Sequence, residues 1–300
     1  MVEQETITED EAALYDRQIR LWGLDAQRRV LLIGVRGLGA EVAKNIVLSG
    51  IKSLTLMDHS QITEEDASSQ FLVNRADVGK NFDIVCATCC KPTDLIRINN
   101  ICAQNAVKFF AGDVFGFYGY MFSDLGVHEY AEEVPKPKAK PTTEQDNGEP
   151  AVKKSKTEEE HETVTSMAFK RLKEALEMDW TTPDAVKKIK KTPNTYFIMK
   201  VLLKFMDKNE RRPATTSREG DMEQLSTLRK QLLEDLKLKD DLLIEDFAEN
   251  CFAELSPVCA IVGGVLGQEI IKAVSQKDAP HNNFFFYNGT DGGGLVDNIG

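Results

Sequence analysis

The chain has 300 residues, 42% of them hydrophobic, which is enough to bury a sizeable core and excludes wholesale disorder. Its 37 Lys and Arg stand against 48 Asp and Glu, a formal charge of −11, so it lacks the cationic density that binding a nucleic-acid backbone needs. Residues 1–11 are acidic without an apolar core, and the longest near-continuous apolar stretch, Pro257 to Gly267, is shorter than the ~20 residues that span a bilayer. A soluble, intracellular protein with no membrane partner is expected.

The first element expected is a helix. Thr8 and Glu11 form a capping box, and Tyr15, Ile19 and Trp22 share one apolar face while Arg17 and Arg20 share a polar one. Val30 to Ile33 reads as a strand buried on both sides. The turn Gly34-Val35-Arg36-Gly37-Leu38-Gly39 follows, then a helix over Ala40 to Ser49 stopped by Gly50, and a second strand over Leu54 to Asp58. This is one β-α-β unit with a right-handed crossover. A second unit is predicted from strand Asp83 to Cys89, helix Thr93 to Asn105 and strand Val107 to Ala111, with a further strand over Val114 to Phe122.

Composition then changes. The stretch from Pro135 to Glu162 is rich in Pro, Lys, Glu, Thr and Ser, and burial cannot offset its ordering entropy, so a disordered loop is expected. Helices are predicted over Ala168 to Met178, Tyr196 to Phe205, Met222 to Leu236, Leu242 to Phe252 and Pro257 to Val274. A strand over Phe284 to Tyr287 then meets the hairpin turn Asn288-Gly289. The domain plan is an adenylation-type α/β part over 1–125, a charged loop over 126–165, a helical insertion over 166–255 and a returning α/β part over 256–300.

Among the motifs, the glycine turn carries the most chemistry. Strand, turn and helix N-terminus bring backbone N–H groups to a point where a phosphate fits, and Asp58 ends the next strand where a carboxylate meets a ribose hydroxyl. Its spacing is G-x-x-G-x-G, and a tight turn packing helix against strand explains it equally well. Cys86, Cys89 and Cys90 include one C-x-x-C without a second pair at metal spacing, so no metal site is expected and buried packing thiols are the simpler reading. All six cysteines are expected to be reduced. Lys153-Lys154-Ser155-Lys156 suits either nuclear import or a solvated linker. The small-residue stripe Ala260, Gly263, Gly264, Gly267 costs helix propensity, which close approach to a sheet, a ligand or another chain would offset.

Several blocks occur in a telling order. Tyr15-Asp16-Arg17-Gln18-Ile19-Arg20-Leu21-Trp22-Gly23 precedes the glycine turn; Gly112-Asp113-Val114-Phe115-Gly116, Pro257 to Gly264 and Gln268-Glu269-Ile270-Ile271-Lys272 follow. Together they resemble the ThiF/MoeB-like adenylation family of ubiquitin-like-protein activating enzymes, nearest to the small, non-thioester subunits of its SUMO-activating branch. The resemblance implies a Rossmann-like α/β fold and a heterodimer with a large catalytic subunit. That partner mainly holds ATP and Mg²⁺, and AMP is joined to the C-terminal glycine of the SUMO modifier before a partner cysteine takes it as a thioester. A nuclear location is expected, with the cytoplasm as the alternative.

Departures from the family pattern place this chain in the non-catalytic half. Where active members carry a triphosphate-binding arginine, Ser69 stands here, and the strand that ends in a magnesium-binding aspartate ends here in Ala87-Thr88-Cys89-Cys90. No cysteine lies between Cys102 and Cys251 to serve as nucleophile in the insertion. The resemblance assigns Arg17, with Arg20 second, to act in trans on the partner's ATP site, and leaves Gly34, Gly37, Gly39 and Asp58 as a vestigial nucleotide site. The alternatives are the equivalent subunit for another ubiquitin-like modifier, a nicotinamide-dependent dehydrogenase and a scaffold protein. The resemblance also implies several more residues near Gln27 to Arg29, and roughly a helix and strand (~35 residues) between Gly79-Lys80 and Phe82. Here Asn81 runs straight into Phe82, and a direct junction leaves one position of a doubly wound sheet empty. The intact flanking motifs favour segments missing from this sequence over a shortened variant.

Overall fold

A computed structural model describes residues 29–51, 53–58, 82–134, 161–243 and 245–300. The short apolar run at its start forms β1 (Arg29–Ile33), followed by α1 (Gly37–Leu48) and β2 (Ser53–Met57). The second unit gives β3 (Ile84–Thr88), α2 (Pro92–Gln104) and β4 (Lys108–Phe115). These four strands are parallel, in the order β2-β1-β3-β4. The sheet then turns antiparallel through β5 (Tyr118–Asp124), and further along the chain β8 (Phe284–Asn288) and β9 (Gly293–Asp297) complete it.

Between β5 and β8 run a separate antiparallel pair, β6 (Val127–Val134) and β7 (His161–Ala168), and the helices α3 (Leu172–Leu176), α4 (Pro183–Ile189), α5 (Asn194–Asn209), α6 (Arg218–Asp235) and α7 (Ser256–Ser275). Among the described residues β2 is an edge strand with nothing beyond it.

Alternation along the strands sorts side chains between two cores. Phe109, Ala111 and Phe115 of β4 join Tyr120, Phe122, Phe284 and Phe286 beneath α2, α5 and α6. Phe110, Val114, Met121 and Phe285 face the other way, beneath α1 and α7. The result is the expected three-layer α/β fold, with the helical insertion sharing one core with a sheet face. All six cysteines are free thiols. Burial is the largest cause raising every one of their pKa values, Cys102 to about 11 and Cys259 to about 12, so none is a thiolate at neutral pH.

Several expectations need correction. The stretch over 114–122 is not one strand: Gly116, at φ +57°, turns β4 back into β5. The flanks of the predicted 126–165 loop pair as β6 and β7, because His128 and Tyr130 are buried at alternate positions while Val127 and Glu129 face out. That period-2 signal was diluted by the polar residues around it. Over 168–178 only α3 is helical, and over 242–252 a 3₁₀ turn, Glu245–Asn250, replaces the predicted helix. The hairpin at Asn288 closes through four residues, with Asn288 opposite Gly293. At 20 residues with mean hydropathy 1.5, α7 is long and apolar enough to cross a membrane by those two measures, yet just over half of it is buried as a core helix. Two of its small residues answer to packing on α1: a Cβ on Gly263 would lie 2.8 Å from Glu41 Cβ, and one on Gly267 2.9 Å from Asn45 Cβ.

The turn between α5 and α6 is organised by one buried carboxylate. Asp221 accepts from Arg211 at 2.6 and 2.8 Å, from Ala214 N at 3.0 Å and from the Ser217 hydroxyl at 2.8 Å. The Arg211 hydrogen bonds, foremost, hold its pKa down at about 2 against an ordinary 3.8. A carboxylate depressed in the folded state stabilises above its ordinary pKa, and that contribution disappears as pH falls through the folded value. Asp221→Asn is therefore expected to melt below wild type at neutral pH, with the gap closing between pH 3.8 and about 2 in thermal scans.

Candidate functional site

From β1 the chain crosses through α1 to β2 on one side, while β3 pairs on the other. The carboxyl ends of β1 and β3 therefore form a topological switch point, where open α/β sheets place their ligands. Gly34 leaves β1 at φ +85°, its N–H donating to Met57 O at 2.9 Å. A Cβ on Gly34 would lie 2.2 Å from Thr88 O, and one on Gly39 2.0 Å from Gly34 O. The Thr88 hydroxyl donates to Gly34 O at 2.7 Å. Asp58 Oδ2 accepts from Val35 N at 2.7 Å, so this carboxylate ties the turn to the end of β2. Gly34, Gly37, Gly39 and Asp58 are thus brought together as the sequence suggested, and contacts within the chain account for Gly34 and Gly39. Arg17, Arg20 and Ser69 lie outside the described residues.

What fills the crevice are residues to which the sequence assigned no site role. Asp113, near the end of β4, is buried; its Oδ1 accepts from Val114 N at 2.8 Å and from the Arg212 guanidinium, while Oδ2 is buried without a hydrogen-bond partner. Arg212, on the loop after α5, also donates to Val114 O and lies 4.3 Å from the centre of the Phe115 ring. Glu254 completes the group. Its Oε1 is 3.8 Å from Arg212 Nη2 and 3.6 Å from Cys89 Sγ, and its Oε2 would lie 2.9 Å from a Cβ on Gly37, the first residue of α1. Backbone bonds place it: Gly116 N donates to Ala253 O at 2.8 Å and Phe117 N to Asn250 O at 2.9 Å. Gly116 has no room for a side chain there, since its Cβ would be 2.1 Å from Asn250 O.

Burial raises the Asp113 pKa against the pull of Arg212, and raises that of Cys89, with Asp113 and Glu254 adding to the effect. Burial works against the charge on Arg212, but Asp113, Cys89 and Glu254 keep its pKa above the ordinary arginine value. One ligand atom each from Cys89, Asp113 and Glu254 lies within 4.8 Å of the others, a spacing that suits a divalent ion. Arg212, however, is already the cation between the two carboxylates.

These residues do not fit a magnesium triphosphate. The Glu254 carboxylate stands beside the first residue of α1, where phosphate oxygens would approach, with the Asp113 carboxylate within 4.8 Å of it, and the arginine between them is engaged. The Gln268-Glu269 block is also structural: buried Glu269 accepts from Lys272 Nζ at 2.8 Å and His281 N at 2.7 Å, pinning α7 to the approach to β8.

The sequence pattern of the ThiF family matches residues 15–81 and 80–296. The chain belongs to the ThiF family. It is 44% identical over 346 residues to SUMO-activating enzyme subunit 1 of Xenopus tropicalis and 43% identical over 346 residues to that of Homo sapiens, in each case over 100% of this chain and 99% of the relative. The Danio rerio protein of the same name is 46% identical over 338 residues, covering 98% and 97%. ThiF membership sets aside the dehydrogenase alternative. The 346 aligned positions exceed this chain's 300 residues by 46, and the ThiF match is interrupted at 80–81, the junction where a further helix and strand were expected.

Proposed function

We propose that this protein is the non-thioester subunit of a heterodimeric SUMO-activating enzyme, inactive without its larger partner. In this reading the partner holds ATP and Mg²⁺ and supplies the thioester cysteine, and the adenylated group is the C-terminal glycine of the modifier. Arg17 reaches the partner's site, where its five-donor fork stabilises charge on the departing pyrophosphate; Arg20 is the second candidate. The protein works in the nucleus.

The observation that carries the reading is the end-to-end likeness to SUMO-activating enzyme subunit 1. Two features of the chain support it: a crevice whose described residues do not suit a triphosphate, and a stretch from Cys102 to Cys251 with no cysteine between them to serve as nucleophile. Co-expression with candidate large subunits, followed by ATP–pyrophosphate exchange with each ubiquitin-like modifier, tests it. Stable pairing and exchange dependent on SUMO are expected; exchange dependent only on another modifier would overturn the assignment.

A further inference from the structure

The poor fit between this crevice and a triphosphate has a specific physical source. We infer that the chain supplies its own anion to the crevice, the Glu254 carboxylate standing at the N-terminus of α1 in the place of a phosphate, locked there by Arg212 from the helical insertion.

A helix N-terminus attracts negative charge through its unsatisfied N–H groups and its dipole. Among the described residues α1 has no acidic residue in its first turn, and its N-cap residue, Arg36, makes no side-chain capping bond. The carboxylate reaching that end comes instead from Glu254, 2.9 Å from the Cβ position of Gly37. A side chain on Gly37 would press on it, so this glycine makes room for an internal carboxylate.

Arg212 acts as the counter-cation. It stacks on Phe115, pairs with Asp113 and stands 3.8 Å from Glu254, which ties the loop after α5 to the end of β4 and to the segment before α7. An incoming phosphate would meet Glu254 as a like charge at short range and would find Arg212 already satisfied. The exclusion of nucleotide from this half is therefore an electrostatic plug, and removing one charge should open it. This inference rests on the reading that the partner, not this chain, holds the nucleotide.

The test uses the full chain without its partner, with inorganic pyrophosphate as the probe, titrated calorimetrically at fixed ionic strength. Glu254→Gln keeps the shape and removes the charge. It is expected to bind pyrophosphate on the order of tenfold or more tighter than wild type, given the strength of a like-charge contact at this range. Adding Arg212→Gln should abolish the gain.

Should Glu254→Gln fail to fold, judged by circular dichroism, Glu254→Ala takes its place. Equal affinity in wild type and variant, or a gain that survives loss of Arg212, would overturn the inference. The assembled enzyme's adenylation activity is measured separately, so failure of the plug is distinguishable from failure of the subunit assignment.

Discussion

Arg17→Ala, assembled with the large subunit, is expected to slow adenylate formation by on the order of 10²-fold or more while leaving the complex intact. Adenylation moves negative charge onto pyrophosphate, and only contacts that strengthen as this charge develops lower the barrier. A guanidinium brought in by the neighbouring subunit is such a contact, so its loss should fall on kcat more than on the KM for ATP. Arg17→Lys keeps the charge but loses the fork, and should recover only part of the rate. Arg20→Ala, three positions further along the chain, is the internal comparison and should have the smaller effect. ATP–pyrophosphate exchange by the purified Arg17→Ala heterodimer is the check, and an unchanged rate would remove Arg17 from the chemistry.

The second large effect concerns stability. Gly39→Ala should destabilise the fold, although helix propensity alone favours alanine by up to about 1 kcal/mol. The new Cβ would lie 2.0 Å from the carbonyl oxygen of Gly34 and 3.2 Å from Thr88 Oγ1. Those neighbours are the backbone of the turn and the hydroxyl that holds it, so neither moves cheaply. Overpacking costs about 1–3 kcal/mol, and losing the hydrogen bond from Thr88 to Gly34 adds about 1 kcal/mol. The clash outweighs the propensity, for a net loss of about 1–3 kcal/mol. Urea unfolding of the full chain measures it; a midpoint equal to wild type would mean that the turn tolerates a methyl group.

The legible part of this protein was its local part. Val30 to Ile33, the glycine turn and Leu54 to Met57 declare β1, α1 and β2 because apolar runs, turn residues and helix periodicity are encoded within a dozen positions. Helix α4 had a usable local signal that was missed: Thr182 accepts from Ala185 N, with Pro183 at the first helical position and Asp184 in the first turn.

The crevice was legible only as an outline. Asp113 and Arg212 are 99 residues apart and meet only because the insertion folds back over β4. Nothing in Arg211-Arg212-Pro213 distinguishes Arg212, buried on Phe115, from Arg211, which pairs with Asp221 beside it. Glu254 likewise looks like any acidic residue until Gly116 draws its backbone against the end of β4. The strand ending in Thr88-Cys89-Cys90 indicated that a carboxylate was lacking there; two carboxylates arrive from other elements, paired with an arginine. The small-residue stripe divides in a way the sequence did not predict, Gly263 and Gly267 packing on α1 while Gly264 meets nothing within 4 Å.

The central claim is that this chain is one half of an adenylating pair. It is tested most directly by modifier-dependent ATP–pyrophosphate exchange with this protein alone, with the large subunit alone, and with the two combined. The account predicts no exchange from this protein by itself and full exchange from the pair. Sustained exchange by this protein in the absence of any partner would contradict it.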